Sequence, residues 1–572
     1  MAHFPRRLIC LALGLLVGAA CAPPPPTATS PRAASAPAQA AAPKRITAAI
    51  RGNPSAIQQR AQRDTVLGLD ALDALVTAGL TQIESSGART PQLAEAVPTL
   101  ENGGWQLAPD GTMRTMWRLK PNLRWHDGTP LTTGDLVFAT TVEQDKESGI
   151  PRWAGYDLIE SIEAPDARTI VVSWKRPYAE ADGMFSHTAG GLPMPKHQLG
   201  QAWAEDKTSL LNPANWTEEY IGAGAFKVRD WVRDSHVVLL AFDGYPLGRP
   251  RIDEIQVKFL PDSNALMANV LAGVDVTLGN ALSFELGLSL SQQWREGTML
   301  TRPRNWTLIA AQFVNTSPPI IREVSFRRAL LMGTDRQELV DALFAGQSGI
   351  AHSFVDPSEP GYSLIEPSVV KYPYDPRQAA QLIEALGYSK RADGFFADAS
   401  GQPPAVSIWT TVSNALQPKA MTAVADQWQR LGVPVEQVPV PIQRMQDREY
   451  RAQFPSFELV ENPNGTTMRD MIRFHSSQAP LPENRFTMIG NYARYQNPEL
   501  DALLDRYFTT IPTRERLETL GGIVHHLTEN LPQLPIVYGV DATMVANRLT
   551  GVTARSNGFT QSWNVQEWDL RQ

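Results

Sequence analysis

Cysteine is almost absent from this chain. Only Cys10 and Cys21 occur in 572 residues, so no disulfide framework is available. Other marks of catalysis are missing too. There is no HExxH, no GxSxG and no GxxxxGKS or GxxxxGKT phosphate loop. Gly222 and Gly224 lie close together but complete no GxGxxG, and they read as a small-residue turn. His525 and His526 are adjacent, so on a helix they point to different faces, whereas a metal needs i, i+4 spacing. They read as surface or packing residues, and no metal or cofactor is expected. Carboxylates are plentiful, but nothing in their spacing marks a pair as acid and base. Charge of one sign is also lacking: 52 Lys+Arg against 59 Asp+Glu give a net charge of −7. No basic run carries interleaved aromatics, which argues against a nucleic-acid partner. After residue 20 no apolar run is long enough to cross a bilayer, and no internal repeat is visible.

The amino terminus is distinctive. Arg6 and Arg7 precede an apolar run, Leu8 to Ala20, too short for a comfortable span. The run ends Val17-Gly18-Ala19-Ala20-Cys21, which resembles a bacterial lipobox cleaved before Cys21, with Gly18 where Leu is usual. An ordinary secretory signal cleaved after small residues is the alternative. Removal of residues 1–20 leaves Cys21 as the one thiol of the mature chain, and acylation would explain it. A diacylglycerol there anchors a protein to a membrane without spanning it. Residues 21–44 are rich in Pro, Ala, Ser and Thr. They lack the apolar side chains needed to offset ordering entropy and read as a semi-rigid tether. The expected location is therefore extracytoplasmic, in the cell envelope, periplasmic or on the outer face of the cytoplasmic membrane.

The folded part begins near Arg45, where Ile46, Ala48 and Ile50 alternate as in a strand. The length predicts two or three packed units. The most informative segment is Arg118–Phe138, RLKPNLRWHDGTPLTTGDLVF. Asp127-Gly128 suits a tight turn, and Thr132 or Thr133 can cap a helix that starts at Gly134. This segment reads as scaffold rather than ligand contact. Farther on, Asp375 is a cap, Pro376 a first helical residue, and Ala379, Leu382, Ile383 and Leu386 one apolar face that ends at Gly387.

Together with Tyr220–Val228, Phe326–Leu330, Asn491–Asp501 and Leu534–Tyr538, these blocks resemble the family 5 extracellular solute-binding proteins, the peptide-, nickel- and oligopeptide-binding lipoproteins of ABC importers. The resemblance implies an α/β, bilobal clamp with an extra subdomain and discontinuous lobes joined by a hinge. Lobe 1 would comprise residues 45–88, 206–308 and 540–572, the subdomain 89–205, and lobe 2 309–539. It implies a monomer that captures a peptide or peptide-like solute between its lobes and passes it to a permease and ATPase complex. Other solutes (a nickel chelate, heme, a sugar) remain open, as does a surface sensor or chaperone that kept the fold.

One departure matters. Peptide binders of the family commonly carry Trp-x-x-Asp after a strand of the second lobe, and the Asp pairs with the peptide α-ammonium. Here Pro455–Val460 reads as that strand and runs into Glu461-Asn462-Pro463-Asn464-Gly465-Thr466-Thr467, with neither Trp nor Asp. Glu461 can substitute, or else Glu461 and Asn462 are solvated turn residues. Further ligand candidates are Asn53 at the end of the first strand, Trp409, Asn491 and Tyr492. Each has a plain structural reading: a turn for Asn53 and Asn491, core packing for Trp409. Arg469 and Arg473 can serve an anionic group but equally read as surface charges.

Overall fold

The apolar runs of the chain become the strands of two main sheets in the computed structural model, which describes residues 42–62, 65–149, 153–412, 414–462, 468–487, 490–554 and 560–571. The side chains of Ala154, Arg304, Asn462, Met468 and Arg469 lie outside the description. So do residues 1–20, Cys21 and the tether up to residue 41. The chain divides into residues 1–42 and 43–572, and the second of these is described here.

Ten strands form the larger sheet: β1 (Arg45–Arg51), β2 (Phe226–Val232), β3 (His236–Ala241), β4 (Glu254–Leu260), β5 (Val276–Thr277), β6 (Gly297–Ala311), β7 (Val406–Thr411), β8 (Val435–Val440), β9 (Phe457–Asn462) and β10 (Gln533–Ala546). Their spatial order is β8-β7-β9-β6-β10-β5-β1-β4-β3-β2. On one side β5, β1 and β4 are parallel. On the other, β8, β7 and β9 are parallel. Between these blocks β6 and β10 pair antiparallel from Gly297↔Ala546 to Ala310↔Gln533. Two α/β lobes thus hang on one pair of long strands.

The outer strands are poor templates for further pairing. The register of β2 shifts between Val228 and Asp230, and β8 contains Pro439. Both devices blunt an exposed sheet edge.

Burial follows the same division. One hydrophobic core joins Ile46, Leu72, Trp117, Trp174, Phe226 and Val257, so the four-stranded sheet of residues 105–174 packs on the first lobe. In the second lobe the two faces of the sheet are covered separately. Ile309, Ile408, Phe457 and Leu459 face one core. Trp306, Leu308, Ala310 and Val460 face the other. Side chains alternate along these strands, as a sheet buried on both sides requires.

The segment around Trp125 is scaffold. Trp125 N–H donates to Thr129 O (2.9 Å) across the turn, where Gly128 has φ 91°. Thr132 caps the helix Thr133–Gln144, and Asp135 completes a capping box. His126 accepts from Gly222 N–H (3.3 Å) through Nδ1 and donates to Gly224 O (3.1 Å) through Nε2. Its ring packs edge-on against Phe242 at 5.0 Å. A Cβ on Gly222 would fall 2.0 Å from Val76 O, so only glycine lets this loop close onto the helix Leu69–Val76. The motif therefore welds its own segment, residues 118–138, to two segments of the first lobe.

Other sequence-level expectations meet local variations. Asp375 caps Pro376–Ala385 by accepting from Arg377 and Gln378 N–H. Asn497 caps Pro498–Thr509 in the same way. The strand expected over Pro455–Val460 instead runs Phe457–Asn462. Glu461 and Asn462 are strand residues because β6 continues beside them, pairing Thr307 with Glu461 and Trp306 with Asn462. Two arginines of the second lobe are sealed among carbonyls. Arg327 donates to Leu531, Ile321 and Asn530 oxygens (3.0, 2.6 and 2.6 Å). Arg336 donates to the Ala351, Pro535 and Tyr372 oxygens (2.6, 3.2 and 2.5 Å). Burial pushes each guanidinium down to about 10, and the carbonyls supply the polar partners that a buried cation needs.

Burial also pushes the His126 imidazole down to about 4, against a smaller opposing pull from the Gly224 hydrogen bond. The unfolded chain binds this proton near pH 6.5, the folded one near 4, so stability is full above about 6.5 and falls as pH drops between the two values. His126→Asn should flatten the loss of stability between about pH 6.5 and 4.5, read by denaturant titration at several pH values. An unchanged slope would show that His126 is not held neutral.

Candidate functional site

In open α/β sheets, ligands occupy the crevice outside the carboxyl ends of the parallel strands. Two loci of this chain occupy that place. In the first lobe, β1 ends at Arg51, which exchanges backbone hydrogen bonds with Leu67, and Gly52 N–H donates to Leu260 O (2.7 Å). Asn53 follows, exposed. The loop beyond it is stiff. Gln62 Oε1 accepts from Ser55 and Ala56 N–H (2.8 and 3.0 Å). Arg60 forms a bidentate pair with Glu143, whose carboxylate is almost fully buried and also accepts from Gly191 N–H (2.8 Å).

In the second lobe the corresponding position is Glu461, near the end of β9. Its Oε1 accepts from Asn305 Nδ2 at 2.6 Å, and its Oε2 from Asn414 Nδ2 at 2.7 Å. Asn414 also caps the following helix turn by accepting from Gln417 N–H (3.0 Å). The carboxylate is half-buried and each of its oxygens takes an amide, which differs from a solvated turn residue. Asn462 ends the strand opposite Trp306; its side chain lies outside the described residues.

Trp409, Asn491 and Tyr492 lie elsewhere. Trp409 pairs in register with Glu458, on the sheet face opposite that of Glu461. Its ring packs on Tyr450 at 4.9 Å, and the Arg444 guanidinium lies 4.0 Å over that tyrosine. Glu458 is completely buried. Arg451 Nη2 donates to its Oε1 (3.0 Å), while Oε2 has no partner among the described residues. Burial raises the Glu458 pKa, opposed by Arg451. Tyr492 adjoins this pair: burial first, then the Glu458 charge, raise its hydroxyl. Asn491 is buried and uses its amide on its own turn, with Tyr495 N–H (3.0 Å), Tyr495 O (2.8 Å) and His475 O (3.3 Å). Arg473 is also buried and bonds to Asp470 O at 2.9 Å. The Arg469 side chain lies outside the described residues. His525 faces Ser368 O and His526 faces the Tyr495 hydroxyl.

The structure thus brings Glu461 together with Asn305 and Asn414, and Trp409 together with Tyr492 and Glu458, on opposite sides of one sheet. Sequence reasoning missed Asn305, Asn414 and Glu458. For Glu458 a signal existed: a lone acid between Phe457 and Leu459 in an otherwise apolar strand. Away from the shared strands, the lobes also touch. Ala179 N–H donates to Phe508 O (2.9 Å), and Arg516 Nη1 to Ala179 O (3.0 Å). Among the described residues no group of three or more His, Cys, Asp or Glu could hold a metal ion. Among them, too, no helix is long and apolar enough to cross a membrane.

Comparison with known proteins gives a consistent picture. The family model for bacterial extracellular solute-binding proteins, family 5 Middle, matches residues 90–474. The oligopeptide-binding protein AppA of Bacillus subtilis is 23% identical over 485 residues, covering 84% of this chain and 83% of its own. Heme-binding protein A of Haemophilus influenzae is 23% identical over 510 residues, covering 85% and 84%. The structure of NikZ from Campylobacter jejuni in complex with Ni(L-His) superposes with a TM-score of 0.68 at 20% identity, covering 92% of this chain and all of that one. At that identity the likeness speaks to the fold.

The Glu458–Arg451 pair generates a stability prediction. Arg451→Met leaves a buried carboxylate without its counter-charge and should cost about 3 kcal/mol. Adding Glu458→Gln should recover most of that loss. Equal losses in the single and double variants, measured by denaturant unfolding, would show that the two side chains are not coupled.

Proposed function

This chain belongs to the family 5 bacterial extracellular solute-binding proteins, and we propose that it captures a peptide or peptide-like solute between its lobes and delivers it to an ABC importer. The observation that carries the choice of solute is Glu461, a carboxylate held by two amides at the mouth of the second lobe. A buried ammonium needs a counter-charge, and Glu461 is our candidate in place of the missing Asp. Asn53 faces the same kind of crevice from the first lobe and is our candidate for a polar contact there. Asn462 sits beside Glu461 in the strand. Trp409, Asn491 and Tyr492 are weaker candidates, since their packing already accounts for them. The names of AppA and of other relatives support a peptide.

Mechanistically the receptor works by differential affinity. Solute binds the closed arrangement better than the open one and shifts the population toward it, and the importer then receives the closed form. We take lobe 1 as residues 45–88, 206–308 and 540–572, with 89–205 packed on it and 309–539 as lobe 2. We read the protein as a monomeric receptor rather than an enzyme. Cys21 is our candidate for the lipid anchor, with residues 21–44 as the tether. A non-peptide solute is the second reading. It is favoured by the missing Trp-x-x-Asp and by relatives named for heme or solved with a nickel–histidine complex.

Calorimetry with short peptides, free and N-acetylated, tests the solute. Free amino termini should bind at least about tenfold more tightly, and Glu461→Gln should remove the difference. Tight binding that survives Glu461→Gln yet is lost on N-acetylation would assign the ammonium to another acid. Weak binding to every peptide would favour a non-peptide solute.

The anchor is tested separately. Cys21→Ser should abolish acylation and release the protein from the detergent phase. Wild-type protein that partitions into water, with an amino terminus elsewhere than Cys21, would refute it.

A further inference from the structure

We propose that Asn305 is a positioning residue for Glu461, tying the solute-facing carboxylate to the strand pair that joins the lobes, so that the site selects solutes with an ammonium or another multi-donor cation. The inference rests on Glu461 being the acid that meets the solute, and it adds what holds that acid in place.

Asn305 belongs to β6, between two residue pairs that differ in register. Pro303 faces Val540 and Trp306 faces Tyr538, so Arg304 and Asn305 share the single residue Gly539. This is a bulge, and bulges re-aim side chains. The Asn305 side chain is 95% buried by its 5% relative exposure. Its Nδ2 reaches Glu461 at 2.6 Å. Its Oδ1 is buried and accepts no hydrogen bond among the described residues. Among the described residues the amide therefore has one polar partner, the Glu461 carboxylate. A buried amide left half-satisfied is costly, so Glu461 and Asn305 constrain each other.

Gly539 makes the arrangement sterically possible. A Cβ at this position would lie 1.5 Å from Asn305 Oδ1. The amide occupies the space that any other residue at 539 would fill. Asn414 holds the other carboxylate oxygen from the loop after β7 (2.7 Å). The acid is thus fixed from the joining strand on one side and from the second lobe on the other. Any bending at the bulge changes one of these bonds and not the other, which couples the direction of the carboxylate to the angle between the lobes. An acid fixed in this way gains little by rotating toward water. It is preorganised for a cation that donates several N–H bonds.

The test compares wild type with Asn305→Ala, Gly539→Ala and Glu461→Gln. The probes are tri- to nonapeptides, each free and N-acetylated. The readout is the ratio of the two affinities, which a merely structural role would not move. We expect Asn305→Ala and Gly539→Ala to cut the ratio by about tenfold, toward that of Glu461→Gln. An unchanged ratio, or an equal loss for both forms of the peptide, overturns the proposal. A second measurement needs no solute. Hydrogen exchange in segments 300–311 and 457–462 should quicken by a similar factor in Asn305→Ala and Glu461→Gln, and no further in the double variant. Multiplying effects in the double variant overturn the proposal. If wild type fails to distinguish the peptide forms but the exchange effects merge, the peptide reading falls. The positioning role then stands for a different cationic solute.

Discussion

The pairing of β6 with β10 is the constraint on which the rest of the molecule depends. Among the described residues no other strand pair of the large sheet joins the two parallel blocks, and it fixes how each presents its carboxyl ends. It is also anchored firmly at both extremities. Where β10 begins, Arg327 and Arg336 clamp the Leu531 and Pro535 carbonyls. Where it ends, Asp275 is fully buried, accepts from Arg548 Nη2 (2.7 Å) and Thr47 N–H (2.8 Å), and offers its own carbonyl to Ala546 N–H (2.7 Å). Between these anchors lie two register breaks, at Pro303/Trp306 and Thr307/Leu308. A strand pair held at its ends and irregular in its middle bends in the middle, because that is where ladder hydrogen bonds are already missing. Asn305 lies at the first of these two register breaks.

What the sequence revealed and what it hid divide along this same line. Caps, turns and helix faces are local. Thr132 and Asp375 were readable because a cap is decided within three or four residues. The segment around Trp125 was legible as scaffold, although its contact with Gly222 and Gly224 spans about a hundred positions. Its function could be guessed because a tight turn followed by a capped helix leaves little exposed to a ligand. The end of β9 was misjudged for the opposite reason. Nothing within Pro455–Thr467 says that β6 continues alongside as far as Trp306. Strand length here is set by a partner some 150 residues away, and only β propensity, a weak guide, was available locally. Asn305 and Gly539 were invisible for the same cause, since each looks ordinary until the register break sets one against the other.

Membership of the family establishes a solute receptor but leaves open what the receptor holds, because function resides in the site and not in the fold. The candidate site of this chain has two acids on one strand. Glu458 and Glu461 are three residues apart on one strand, and an odd separation sends them to opposite faces. Glu458 is sealed beneath Trp409 and Tyr492 and matched to Arg451. It serves the lobe's interior, and its raised pKa reflects the burial that a carboxylate resists. Glu461 remains partly open to solvent, and each of its oxygens accepts from a neutral amide.

That difference favours Glu461 over Glu458 as the acid we propose for a charged solute. A carboxylate already matched by an arginine offers little to a second cation, because each new bond competes with an existing charge pair. A carboxylate held in place by two amides loses little orientational freedom when a cation arrives. If Glu461 is the solute contact, as we propose, its attraction for a cation strengthens as the lobes close and the local dielectric falls. On that proposal, closure around a cation gains a charge-assisted hydrogen bond. A receptor built this way discriminates through the closing step itself. On that proposal, affinity for the solute and discrimination at closure draw on the same side chain.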